Sequence, residues 1–412
     1  MSNTIQPDKK RSPLSMLGIL SMGHMLNDMY SNFLPQLLPF LVVSIPDFSP
    51  SRAAVLVASF NISSSLFQPI FGYMVDGRGK GWLIYIGTLW MSVFLSLTGL
   101  TDNYFLMVAL AAAAGLGTSA FHPPASAFVH GLDARRKAVY QSVFVAFGNI
   151  GFALAPLLMV PLFQFHGLKA SWLLIIPGIF ASLFLFFALP RQTEGKVRKA
   201  TLLKVWASLK KSEHDIIVIL AVIMLRAAAY TGLLALLPLY FHEKGFSNIA
   251  GSRALTLMLA AGALGGIAGG FISDRWGRRP LIVWSLLLAT PMFFSFLLLN
   301  GESAEILLSL GGVCLLASFS VTTVVTQDLI PEQKALAAGL SLGFSNGMGA
   351  FIAIIVGKLA DVWGLTAALG LLAVLPAISG IVCLGLRDKP WRKDHGTPAP
   401  AHCTVSAGAS AV

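Results

Sequence analysis

Two side chains of opposite charge lie within long apolar stretches, where a charge is costly. Asp28 lies in the first apolar stretch and Arg226 in the seventh. A charge at the centre of a bilayer costs roughly 2.5–3.5 kcal/mol on insertion scales, so such residues mark functional sites. A carboxyl group can take up and release a proton, and a guanidinium can bind an anion. The two charges therefore predict a site that handles protons and an anionic small molecule.

A polar stripe surrounds Asp28 on its own helix. His24, Asp28 and Asn32 recur every four residues and so share one helix face. This face would be costly against lipid and is expected to line a cavity. We assign proton coupling to Asp28, helped by His24. The candidates for substrate contact, with Arg226 as the anchor of the anion, are Arg226, Tyr230, His24, Asn32, Tyr30, His122, Asn149 and Asn346.

Structural explanations compete with these assignments. Asp28 and Arg226 could merely neutralise each other, although buried ion pairs are poor stabilisers. Asn149 and Asn346 stand in the glycine-rich stretches GNIG and SNGMG, where close helix packing is the better explanation.

His122 stands before two prolines, Pro123 and Pro124. Two prolines in a helix interior predict a break that frees backbone carbonyls to line a cavity. A functional role for His122 and a role as a satisfied packing residue both remain open.

The elements that must hold these residues are membrane helices. Of 412 residues, 56% are hydrophobic and 11% charged, against about 25% charged in a soluble domain. The apolar blocks reach about 20 residues, enough to cross a bilayer. The sequence thus predicts an all-α polytopic membrane protein of twelve transmembrane helices in two pseudo-symmetric six-helix bundles. The predicted helices are 14–43, 53–75, 82–101, 104–130, 138–163, 170–189, 214–241, 251–273, 280–299, 305–328, 335–360 and 365–386.

An internal repeat supports two equivalent halves. Residues 72–82 read GYMVDGRGKGW and residues 270–280 read GFISDRWGRRP, and their glycines and aspartates lie 198 residues apart. Asp28 and Arg226 are separated by the same 198 residues. One helical unit has therefore been used twice, and the two buried charges occupy equivalent positions.

The distribution of positive charge predicts the orientation. If the N-terminus is cytoplasmic, 23 of the 29 Lys and Arg residues fall on that side, as the positive-inside rule requires. The net charge of +11 thus reflects topology and not nucleic-acid binding. The predicted divisions are a cytoplasmic N-terminus (1–13), two bundles (14–189 and 214–386), a cytoplasmic linker (190–213) and a disordered cytoplasmic tail (387–412). The three cysteines have no metal or disulfide spacing.

Six plus six helices, a basic central loop and paired G-x-x-x-D hinges resemble the major facilitator superfamily. The segments GHMLND (23–28), SSLFQPIFGYMVD (64–76), GLGTSAFHPP (115–124) and GNIGFALAPLL (148–158) resemble the fosmidomycin-resistance branch of drug exporters. The resemblance implies that helices 1 and 7 face each other across a central cavity. It also implies that Asp76 meets helix 11 and Asp274 meets helix 5. The gating residues carried over are Asp76, Arg78, Lys80, Asp274, Arg275, Arg278 and Arg279.

The expected function is proton-coupled efflux of a small organic anion or drug by a monomer in a bacterial inner membrane. The alternative is an uptake symporter for an organic acid or phosphorylated metabolite. We expect that the protein is not an enzyme and binds no cofactor or metal, because the sequence shows neither a nucleophile–base pair nor metal-ligand spacing. The partners are the substrate, protons and membrane lipid.

Overall fold

A computed structural model describes residues 12–45, 48, 50–78, 81–189, 206, 209–245 and 248–387. Residues 1–11, most of the linker 190–213 and the tail after residue 387 lie outside this part of the chain, as does Lys80. The side chains of Arg78 and Asn346 also lie outside it.

The first half contains six helical spans, as predicted. They are α1 (Pro13–Ser31 and Phe33–Ser44), α2 (Pro50–Leu66 and Gln68–Arg78), α3 (Leu83–Thr98), α4 (Tyr104–Leu132), α5 (Lys137–His166) and α6 (Leu168–Leu174, a 3₁₀ segment, and Ile175–Ala188). Local capping sets some boundaries. The Asn103 side chain accepts the N–H of Leu106 at 3.1 Å and so begins α4.

The second half repeats this arrangement. Its spans are α7 (Glu213–Glu243), α8 (Asn248–Trp276), α9 (Arg278–Leu298), α10 (Glu302–Ala317 and Phe319–Leu329), α11 (Lys334–Ala338, Gly339–Ser345 and Asn346–Trp363) and α12 (Leu365–Cys383). Between α8 and α9 the chain turns at Gly277, whose φ of 109° disfavours any residue with a Cβ. Among the described residues, ten helices are long and apolar enough to cross a membrane, and Leu83–Thr98 is a shorter apolar helix.

Three membrane spans consist of two helices separated by a short break, but the span in which prolines predict a break is continuous. The helices of α1, α2 and α10 break at Asn32, Phe67 and Ser318. The predicted break at Pro123 and Pro124 is wrong, since α4 is one helix from Tyr104 to Leu132 with both prolines inside. Unsatisfied backbone groups are expensive in a bilayer, and a membrane helix therefore continues through a proline when its neighbours support it.

The two halves meet closely at one end of the bundle. There α2 leads into α3 and α8 leads into α9, and we call this the basic end because most Lys and Arg residues map to it. A Cβ on Gly72 would overlap the backbone of Ala335 in α11, and one on Gly270 would lie 2.9 Å from the carbonyl oxygen of Ala138 in α5. The two hinge glycines thus let helices of opposite halves approach to backbone contact.

Candidate functional site

Three polar side chains from α1 and α4 form a buried cluster. The carboxylate of Asp28 lies 3.2 Å from Nε2 of His24 through Oδ2, and 3.5 Å from Nε2 of His122 through Oδ1. The rings of the two histidines meet edge to face with centroids 5.1 Å apart. The predicted partnership of Asp28 with His24 is present in the structure, and His122 joins it from a helix that the sequence alone could not place.

Helix α5 fixes the orientation of the His24 ring. Nδ1 of His24 lies 2.7 Å from the backbone carbonyl oxygen of Phe144, and the two rings stack at 4.0 Å. A carbonyl oxygen can only accept a hydrogen bond, so Nδ1 must carry a proton. In neutral His24 the other nitrogen, Nε2, is then an acceptor.

This geometry has a consequence for the His24–Asp28 pair. Nε2 without a proton and a carboxylate oxygen are both acceptors, and they would repel each other at 3.2 Å. One proton between them removes the conflict, either as imidazolium with carboxylate or as neutral imidazole with carboxylic acid. The arrangement therefore suits a pair that binds one proton.

The same cluster contains the described residues best suited to hold a divalent cation. One ligand atom from each of His24, Asp28 and His122 lies within 4.8 Å of the others. Two imidazole nitrogens and a carboxylate oxygen can coordinate zinc. A cation would use the same lone pairs as the proton, so the two would compete.

Arg226 is held within the second half. Only 1% of its surface is exposed, and its guanidinium carbon lies 4.2 Å from the centroid of the Phe319 ring in α10. Tyr230 follows one helical turn later and interacts electrostatically with it. A guanidinium stacked on an aromatic face has its donors directed along its edge. Arg226 can therefore present a planar set of N–H groups to an anion.

Two further predicted substrate residues near the break in α1 bond to other helices. The amide nitrogen of Asn32 donates to the carbonyl oxygen of Phe152 in α5 at 2.9 Å. The hydroxyl of Tyr30 donates to the carbonyl oxygen of Leu174 in α6. Both side chains tie α1 to its neighbours, and their contact with substrate stays a prediction.

Of the two asparagines predicted to contact substrate in the glycine-rich stretches, the structure describes the side chain of Asn149 but not that of Asn346. Asn149 is exposed and follows Gly148, on which a Cβ would lie 2.5 Å from Oδ2 of Asp28. Helix α5 thus packs directly on the His24–Asp28 pair. The side chain of Asn346 lies outside the described residues, although its backbone begins the last segment of α11.

At the basic end, Asp76 joins α2 to the opposite half. Its two carboxylate oxygens accept the N–H groups of Ala335 at 3.1 Å and Leu336 at 2.7 Å, at the start of α11. A carboxylate at a helix N-terminus satisfies free N–H groups and meets the positive end of the helix dipole. The expectation that Asp76 meets helix 11 is confirmed in the structure.

Asp274 makes the equivalent contact in the other direction. Its carboxylate accepts the N–H groups of Ala138 and Val139, both at 3.1 Å, at the start of α5. The expected neighbour, helix 5, is again confirmed. Each half therefore caps a helix of the other.

A third aspartate, which the sequence did not indicate, binds three basic side chains at the same interface, two of them from the opposite half. Asp328 at the end of α10 lies 3.0 Å from Nε2 of His130 and 2.9 Å from Nζ of Lys137, and it also pairs with Arg278. His130 and Lys137 belong to the first half and Arg278 to the second. We call the contacts of Asp76, Asp274 and Asp328 across the halves the latch.

The remaining predicted gating residues have different positions. Arg275 is exposed. Arg279 donates to the carbonyl oxygen of Leu384 at 2.5 Å, a contact within the second half. This bond of Arg279 does not cross between the halves, and Arg78 and Lys80 lie outside the described side chains.

The comparisons with known proteins agree with this architecture. The family model described as Major Facilitator Superfamily matches residues 20–315. The chain belongs to the major facilitator superfamily. It is therefore a multi-pass membrane transporter and not an enzyme.

Two relatives and one solved structure illustrate its place among major facilitator proteins. The chain is 28% identical over 396 residues to the uncharacterized MFS-type transporter YfnC of Bacillus subtilis, covering 92% of this chain and 95% of the relative. It is 27% identical over 390 residues to the fosmidomycin resistance protein of Escherichia coli, covering 92% and 94%. The outward conformation of FucP superimposes with a TM-score of 0.76 at 14% identity, covering 92% of this chain and 100% of FucP.

Removing the charge of Asp328 is expected to loosen the latch of this major facilitator protein. Asp328→Asn leaves Lys137 and Arg278 close together without their shared carboxylate, so the two positive charges repel each other and the closed latch is less stable. Amide hydrogen exchange measured by mass spectrometry should show the helix starts at Ala138 and Ala335 exchanging at least about tenfold faster, because opening becomes more frequent. The matched control is Asp102→Asn, which changes an exposed loop aspartate. Unchanged exchange in Asp328→Asn would show that the cluster does not hold the halves together.

Proposed function

We propose that this protein is a proton-coupled exporter of a small organic anion or drug similar to fosmidomycin. It works by alternating access, as a monomer, without a cofactor or metal. The substrate anion binds Arg226 in the second half, and the coupling proton binds at Asp28 in the first half. Tyr230, His24, Tyr30, Asn32, His122, Asn149 and Asn346 are the further candidates for substrate contact.

The observation that carries this proposal is the different environment of two buried charges at equivalent positions. Asp28 is surrounded by His24 and His122, groups that exchange protons. Arg226, which keeps its charge, stacks on Phe319. The two helices related by the repeat, α1 and α7, thus carry one site for the proton and one for the anion, as a coupled transporter requires.

Localisation and orientation form part of the proposal. We place the chain in a bacterial inner membrane with both termini and the basic end in the cytoplasm, because positive charge is retained on that side. The latch then closes the cytoplasmic side. Its release would open a path from the cytoplasm to Arg226.

Similarity to the fosmidomycin resistance protein favours export. The runner-up is a proton-coupled uptake symporter for an organic acid or phosphorylated metabolite. The fold does not decide between them, since the Escherichia coli fucose:proton symporter FucP has the same fold. The direction of coupling must therefore be measured.

The test uses purified protein in liposomes. A first screen identifies anions that raise the melting temperature, because a ligand at 100 times its Kd stabilises the folded state by about 2.7 kcal/mol. Fosmidomycin, a sugar phosphate and a carboxylic acid are the starting set. The best ligand is then supplied outside liposomes whose lumen is either more acidic or more alkaline than the medium.

The three outcomes separate the hypotheses. Accumulation driven by an acidic lumen means that protons leave as the anion enters, which is the antiport expected here. Accumulation driven by an alkaline lumen identifies the symporter. Equal distribution in both cases, or transport that follows a Zn²⁺ gradient and stops with a chelator, rules out proton coupling.

A further inference from the structure

Helix α5 connects the latch to the His24–Asp28 pair. At its start, Ala138 and Val139 donate to Asp274 of the other half. Phe144, whose carbonyl oxygen accepts from His24, lies six residues after Ala138, and Gly148 lies ten residues after it. At 1.5 Å per residue these separations are about 9 and 15 Å along one rigid helix. A movement of the helix start therefore reaches both contacts.

The contact of Phe144 with His24 favours the protonated pair. A carbonyl that accepts from Nδ1–H makes the opposite nitrogen of an imidazole more basic. If α5 shifts, Nδ1 of His24 loses its acceptor and Nε2 binds the shared proton less strongly. Gly148 packs so closely on both side chains that an added Cβ would lie 2.5 Å from Oδ2 of Asp28, and a shift of α5 toward α1 would therefore disturb the pair.

We propose that α5 is a positioning element that makes the proton affinity of the His24–Asp28 pair depend on whether the latch is closed. With the latch closed, Phe144 and Gly148 hold the pair in the arrangement that keeps its proton. When Asp274 releases the start of α5, the pair loses that proton. The inference rests on the proposed proton coupling and adds the structural link between the proton and the conformation.

The link explains the order of events in an exporter. While the cytoplasmic side is closed, the pair holds the proton that enters from outside. Opening of the latch then moves α5, and the proton leaves toward the cytoplasm as the anion gains access to Arg226. Proton release and substrate loading are thus tied to the same movement.

Few other groups lie close enough to the His24–Asp28 pair to change its proton affinity. Among the described residues, the titratable groups acting on Asp28 are His24 from α1 and His122 from α4. Helix α5 contributes a carbonyl and a glycine, and α6 contributes the apolar Leu185 next to Gly23. A change that originates in α5 therefore acts through hydrogen bonding and packing.

The repeat supplies a matched control. Asp274→Asn weakens the hold on α5, whereas Asp76→Asn weakens the equivalent hold on α11, which lies in the other half from the pair. Within the first half, Gly148→Ala adds a methyl group 2.5 Å from Oδ2 of Asp28 and 2.8 Å from Nε2 of His24. Its control is Gly18→Ala in α1, where a Cβ would meet nothing within 4 Å.

The measurement is ¹⁵N-histidine NMR of the full chain in liposomes without substrate. A sample carrying His24→Asn assigns the His24 signal among the eight histidines. The spectra report which nitrogen is protonated and the pH at which the pair loses its shared proton. In the wild type we expect His24 to carry its proton on Nδ1 at high pH.

Asp274→Asn and Gly148→Ala should each lower the pH at which half of the shared proton is lost by about one unit, a tenfold loss of affinity. Gly18→Ala should leave it unchanged, and Asp76→Asn should lower it clearly less than Asp274→Asn does, because it loosens the latch without removing the bond between Asp274 and the start of α5. Equal shifts in both aspartate variants, or no shift in Asp274→Asn, would overturn the link through α5. If Gly148→Ala does not fold, the aspartate variants decide the matter. A wild-type pair that takes up no proton at any pH would instead defeat the proton coupling of the proposed function.

Discussion

Asp28→Asn is expected to abolish accumulation driven by a pH gradient while substrate exchange continues. An asparagine amide can donate to Nε2 of His24 and so replace the shared proton without exchanging it. A gradient of one pH unit is worth about 1.4 kcal/mol per proton, which supports about tenfold accumulation in a coupled transporter. The variant should reach no accumulation above the external concentration in the liposome assay.

The control for Asp28→Asn is Asp102→Asn, since Asp102 is exposed in the loop before α4. It should accumulate substrate like the wild type. Exchange of labelled for unlabelled substrate at equal pH shows that the Asp28 variant is folded and still moves its substrate. Full gradient-driven accumulation by Asp28→Asn would exclude this carboxylate as the coupling group.

Arg226→Gln is expected to remove most of the affinity for the anion. Loss of one member of a buried, hydrogen-bonded charge pair costs about 2–5 kcal/mol, which corresponds to a Kd at least about 30-fold higher. Arg226→Lys keeps a charge but not the planar fork, so we expect it to bind about tenfold more weakly than the wild type. Both effects are measured as ligand-induced shifts of the melting temperature and as the concentration that half-saturates exchange.

The control for the Arg226 variants is Arg253→Gln. The Arg253 side chain is 63% exposed and pairs with Glu305, so its loss should leave anion affinity unchanged. The melting temperature of each variant without ligand separates lost binding from lost packing on Phe319. An Arg226→Gln protein that binds the anion like the wild type would remove Arg226 as the anchor.

The spans and two of the latch contacts could be predicted from sequence. Apolar length is a local property, and it located all twelve spans to within a few residues. Asp76 and Asp274 recur at the spacing of the repeat, and the family resemblance supplied their partners. Both partners proved to be backbone N–H groups of the expected helices.

The Asp328 cluster and the role of His122 could not be predicted in this way. Asp328 is the last residue of the predicted helix 305–328, next to the loop that contains Lys334, and a charge at the end of a membrane helix needs no functional explanation. Its partners come from α4, α5 and α9, and only the packing of the two halves brings them together. The contact of His122 with Asp28 depends in the same way on α4 lying against α1.

The direct bond between His130 and Asp328 has an evolutionary consequence. These residues lie 198 residues apart, so they occupy the same place in the two copies of the ancestral unit. A pair of identical subunits would set histidine against histidine or carboxylate against carboxylate there, and neither combination forms this bond. Asp28 and Arg226 are likewise 198 residues apart and carry opposite charges. Joining two copies of one unit in a single chain thus permits complementary residues at equivalent positions, which two identical subunits could not provide.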